Sequence, residues 1–122
     1  MKTYNITHAY LVGKSEVSIK SSVTQEVLEN AIALICFTLE HETGEDSALA
    51  DEHLIVKCLK VMYPEMVESV TSSDGDITLD QHWIREERCG SFYIECWDLW
   101  KSGLRYNKVV KVIKSNPKLI NV

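Results

Sequence analysis

The chain has 122 residues, 45% of them hydrophobic and 25% charged, with 18 acids, 13 lysines and arginines and a net charge of −5. This is the composition of a single folded domain with a substantial core, and it excludes a disordered or fibrous chain. No apolar run approaches the roughly 20 residues that span a bilayer, and the start, MKTYNITHAYLVG, lacks the apolar stretch and cleavage site of a secretory signal, so the expected setting is the cytoplasm.

Charge is unevenly placed. Residues 99–122 carry Lys101, Arg105, Lys108, Lys111, Lys114 and Lys118 and no acid, while all 18 acids fall in residues 1–98. No lysine or arginine lies between Lys20 and Lys57. That gap holds Glu26, Glu29, Glu40, Glu42, Glu45, Asp46, Asp51 and Glu52. Such a block produces a negative potential that repels nucleic acid and attracts basic surfaces.

In chain order, Tyr4–Val12 and Glu16–Ser21 alternate as two strands, with Gly13-Lys14 suited to a tight turn between them. Residues 22–42 form the longest apolar-periodic run. Leu28, Ile32, Ile35 and Leu39 predict a central helix, with Ser22 and Gln25 as a capping box and Gly44 as a left-handed stop. Fully burying each of those four side chains contributes roughly 1.5–3 kcal/mol. A second helix is expected over about Leu49–Met62 from the stripe Leu54, Ile55, Cys58, Leu59 and Met62. Pro64 is expected to open a short third helix through about Val70. TSSDGD, residues 71–76, reads as a loop.

Beyond it the period reads as β. Ile77–Glu87 and Ser91–Leu99 are expected to form a hairpin around Arg88-Cys89-Gly90, and Tyr106–Lys114 a last strand ended by Asn116-Pro117. That register puts Trp83, Arg85, Tyr93, Glu95 and Trp97 on one face, and sets His82 opposite Cys96 on the other. The expected fold is α+β: one domain over residues 1–122, a mostly antiparallel sheet in the order β-β-α-α-β-β-β, and a helical pair on one face.

Two constellations are candidate partner-binding sites. The first is the acidic cluster Glu40, Glu42, Glu45, Asp46, Asp51 and Glu52, where acids crowd a helix–helix connection; a solvated loop with a capping aspartate is its bland reading. The second is the aromatic face of Trp83, Arg85, Tyr93, Glu95 and Trp97, made of residue types that dominate binding hot spots. The basic C-terminal stretch reads better as a guard against edge-strand aggregation than as a phosphate grip. The four cysteines, 36, 58, 89 and 96, lack CxxC spacing and are expected to be free thiols; no metal or cofactor is expected.

The function these features suggest is an acidic cytosolic inhibitor that masks a basic nucleic-acid-binding or nuclease site on a partner protein, without itself touching nucleic acid or membrane. Immunity proteins and phage or mobile-element anti-defence proteins offer an analogy of size and charge only. Two alternatives stand beside it. One is a small ligand-binding or self-assembling domain, monomeric or homodimeric. The other is a small enzyme using a Cys96–His82 pair oriented by Asp80.

Overall fold

The computed structural model describes residues 2–10, 13–46, 48–71 and 77–115. Strands β1 (Lys2–Tyr10) and β2 (Gly13–Ser21) form a hairpin, followed by helices α1 (Gln25–Thr43) and α2 (Glu52–Met62). Strands β3 (Val67–Thr71) and β4 (Ile77–Asp80) come next. The chain then continues through helices α3 (Gln81–Glu87), α4 (Ser91–Lys101) and α5 (Leu104–Lys114).

The described strands form one sheet in the order β3-β2-β1-β4. β1 pairs antiparallel with β2, from Lys2↔Ser21 to Tyr10↔Gly13, and β2 antiparallel with β3. β4 runs parallel to β1, pairing Tyr4 with Ile77 and Thr7 with Asp80. The fold is α+β as expected, but the sheet is mixed. Gly13 and Lys14 belong to β2 and do not form the turn.

Period-2 alternation makes this sheet two-sided. Tyr4, Ile6, Ile19 and Leu79 are fully buried in the core, and the Tyr4 hydroxyl donates to the Val23 carbonyl at 3.0 Å. The register places Thr3, Asn5, Thr7, Ser18, Lys20 and Thr78 on the other face, where Ser18 Oγ donates to Asn5 Oδ1 at 2.5 Å.

α1 is the central element, as its periodicity predicts. Leu28, Ile32, Ile35 and Leu39 are wholly buried. Its start differs by two residues: Thr24, not Ser22, is the cap, accepting from the Val27 N–H at 3.4 Å. Its end is as read. Gly44 adopts φ 73° and its N–H bonds the Glu40 carbonyl at 2.9 Å, a conformation that costs a residue with a Cβ about 1–2 kcal/mol. α2 is capped by Asp51, which accepts from the His53 N–H at 2.8 Å.

The second half of the chain differs from expectation. Pro64 opens a turn, held by the Tyr63 carbonyl accepting from the N–H groups of Met66 and Val67, and the segment through Val70 is β3 rather than helix. The hairpin expected over Ile77–Leu99 is absent. Its first four residues are β4, but Asp80 then accepts from the N–H groups of His82 and Trp83 and starts α3. Residues 106–114, expected as a strand, are helical.

The physical reason is composition. Between Thr78 and Val109 the only β-branched residues are Ile84 and Ile94, so little favours a pleated backbone there. In α5, Tyr106, Val109 and Ile113 fall at i, i+3 and i+7 and all three are buried, so tertiary packing overrides the strand preference of its valines. Of the loop expected at 71–76, Thr71 belongs to β3, and the rest, like the stop at Asn116-Pro117, lies outside the described residues.

Candidate functional site

The acids of α1 divide by what they touch. Three face the C-terminal helices and are held there. Glu40 Oε1 accepts from Arg85 Nε at 2.5 Å and also meets the second guanidinium arm. Glu29 Oε1 accepts from Arg88 at 3.0 Å, while Arg88 Nε donates to Asn30 Oδ1 at 2.7 Å. Glu42 Oε1 accepts from the Tyr106 hydroxyl at 3.0 Å, and its other oxygen lies 3.8 Å from Lys114 Nζ.

These contacts set the charge states. Burial works against the Arg85 charge. The hydrogen bond and charge of Glu40, with smaller help from Glu86, outweigh it and raise its pKa. Tyr106 is pushed up to about 12, first by burial and then by its bond to Glu42. Glu40 and Glu42 therefore clamp α3 and α5 onto α1. Asp51 caps α2, and Glu52 is buried with its Oε1 3.6 Å from His53 Nε2. Of the six acids in the predicted cluster, only Glu45 and Asp46 stand exposed, just beyond Gly44.

The aromatic face is rearranged in the same way. The five residues lie on two helices and do not share a surface. Arg85 is turned inward to Glu40. Trp83 is 65% exposed on the outer side of α3. Tyr93 and Trp97 do meet, stacked at 5.2 Å with planes 15° apart. Around them Phe37 and His41 of α1 and Tyr106 of α5 pack edge-on at 5.0, 5.5 and 5.9 Å. Trp100 packs edge-on against Tyr106 and donates its Nε1–H to Thr38 Oγ1 at 2.9 Å. These rings fasten α4 to α1 and α5.

Among the described residues the opposite side of α4 makes no such contacts. Ile94 and Leu99 are 76% and 78% exposed. At about 100° per residue, Ile94, Asp98, Glu95 and Leu99 follow one another around an arc of about 140°, with the acids in the middle and an apolar residue at each edge. Glu95 and Asp98 are exposed and form no ion pair among the described residues. Glu86 and Glu87, by contrast, lie 3.0 and 3.7 Å from Arg85 and Arg88. Sequence reasoning reached Glu95 but missed its neighbours, because a strand register separates residues that a helix brings together. The signal was present: read as a helix, Ser91–Lys101 has an apolar arc, from Leu99 round to Ile94, wider than its contact with α1 and α5 needs.

Cys96 is half-buried on α4 and His82 exposed on α3, so the strand pairing that would have joined them does not exist. Cys36 and Cys58 are buried thiols, each raised to about 12 by desolvation. Asp51, Glu52 and His53 each bring a possible ligand atom within 4.8 Å of the others, but Asp51 Oδ1 already serves the His53 N–H. Among the described residues no helix is long and apolar enough to cross a membrane. No family model matches this sequence, and neither curated proteins nor solved structures gave a match.

Proposed function

We propose that this protein is an acidic, non-enzymatic inhibitor that lays the outer face of α4 on a basic nucleic-acid-binding or nuclease site of a partner protein in the cytosol. The observation that carries the reading is the α4 arc: two highly exposed aliphatic side chains bracketing two carboxylates that have no ion-pair partner among the described residues. Ile94 and Leu99 supply apolar anchors, and Glu95 and Asp98 offer acceptors to lysine or arginine. Glu45 and Asp46 add to the negative field that speeds encounter. The acids within the arc also argue against a two-fold homodimer through this face, since each copy's carboxylates would oppose those of the other. Four free cysteines suit a reducing compartment.

The test is capture of partners from the cognate cell lysate at about 50 and about 500 mM salt, with the variant Glu95→Lys/Asp98→Lys in parallel. The reading expects one basic nucleic-acid-binding protein, weakened at high salt and lost with the variant. Retention of that protein by the variant would remove α4 from the interface.

A further inference from the structure

A second site lies away from α4, where the end of α2 meets the start of α5. Met62, Tyr63, Pro64, Glu65 and Met66 on one side and Arg105 on the other line a cleft of about 210 Å³. Its floor is well held: the Tyr63 N–H bonds the Leu59 carbonyl at 2.7 Å, and the Tyr63 carbonyl accepts from Met66 and Val67 at 3.0 and 3.2 Å. Its walls are thioether, aromatic and pyrrolidine groups, and the methionines adapt to varied apolar shapes.

The Arg105 guanidinium lies 5.7 Å from the Tyr63 ring centroid and has no carboxylate partner among the described residues. In this it differs from Arg85 and Arg88, whose guanidinium groups reach Glu40 and Glu29 of α1. A planar guanidinium held over an aromatic ring at the mouth of an apolar cleft is suited to a carboxylate whose attached body fills the cleft. The volume admits a body of about a dozen heavy atoms and is too small for a nucleotide cofactor. Glu65, on the same rim, disfavours multiply charged anions.

We propose that this cleft is a binding site for a small apolar monocarboxylate, with Arg105 gripping the carboxylate and Met62, Tyr63 and Met66 enclosing the apolar body. The site is independent of the α4 reading, since none of its lining residues lies on α4.

The experiment is a titration of the full chain, labelled with ¹³C at the methionine methyls, with 3-phenylpropionate. The neutral 3-phenylpropanamide and inorganic phosphate serve as comparison probes. Saturable shifts are expected at Met62 and Met66, with the amide at least about tenfold weaker because it lacks the charge-assisted bond. Phosphate should not saturate these shifts. Arg105→Gln, an exposed substitution that leaves the fold intact, should reduce acid binding to the level of the amide. Glu65→Gln should tighten acid binding. Equal affinity for acid and amide, saturable shifts with phosphate, unchanged acid binding by Arg105→Gln, or no methionine shift would each overturn the proposal.

Discussion

Gln81 grips both polar groups of Ala50: its Oε1 accepts from the Ala50 N–H at 2.8 Å, and its Nε2 donates to the Ala50 carbonyl. Both residues are fully buried, and the Cys36 thiol donates to Gln81 Oε1 at 3.7 Å. The pair ties the α1–α2 connection to the first turn of α3, and so fixes where the C-terminal helices begin. Gln81→Leu removes a partner from two buried backbone groups, each worth about 1–3 kcal/mol. Urea denaturation should show a loss of about 2–4 kcal/mol; a loss below about 1 kcal/mol would mean that the bridge is incidental.

The Glu40–Arg85 pair makes a second stability prediction. The two side chains are 19% and 12% exposed, so the ions are largely removed from water. Arg85→Met strands Glu40 and should cost about 2–4 kcal/mol, somewhat below the range for a wholly buried pair. Glu40→Leu/Arg85→Met removes both ions together and should cost less than Arg85→Met alone. Additive losses in that double-mutant cycle would contradict the coupling.

Alkaline pH should destabilise the fold through the core thiols. Cys36 and Cys58 rise from 9.0 to about 12 on burial. The folded state therefore keeps protons that the unfolded state releases. The stability this represents is whole below pH 9 and is lost as pH climbs toward 12. Each thiol lowers stability by about 1.4 kcal/mol per pH unit inside that window. Urea midpoints measured at pH 8, 9 and 10 should fall beyond pH 9, and less steeply in Cys36→Ala/Cys58→Ala. Equal slopes in the two proteins would exclude the thiols as the cause.

Gly44 offers a backbone test. A Cβ there meets nothing within 4 Å, so any cost of Gly44→Ala comes from its φ of 73° alone. Thermal or urea unfolding should register a loss of about 1–2 kcal/mol, and Gly44→Asn a smaller one. An unchanged protein would show that the cap relaxes without cost.

The N-terminal half was legible because its signals agree. In α1, period and stop glycine indicate the same helix, and only its cap lies two residues from the one read; in β1 and β2 the alternation of Tyr4 and Ile6 or Val17 and Ile19 admits only a strand. The C-terminal half was not, because its aromatic and charged residues satisfy an alternating pattern and a helical one at once. Trp83, Arg85, Tyr93 and Trp97 alternate on paper. What decides is Asp80 capping α3 and the scarcity of β-branched residues after it. The acidic cluster was legible only in part, for another reason. Charge is visible in a sequence, but the partner that neutralises it is not: Arg85 lies 45 residues from Glu40 and Tyr106 64 from Glu42.

The most direct test of the central claim is binding of the captured partner to a variant altered only on the α4 arc, Ile94→Ser/Glu95→Lys/Asp98→Lys/Leu99→Ser. All four positions are exposed, so circular dichroism and urea unfolding should match the parent within about 0.5 kcal/mol per site. The account predicts that this folded variant loses the partner, while Glu45→Lys/Asp46→Lys slows association and keeps it. A folded α4 variant that binds the partner as tightly as the parent would contradict the account.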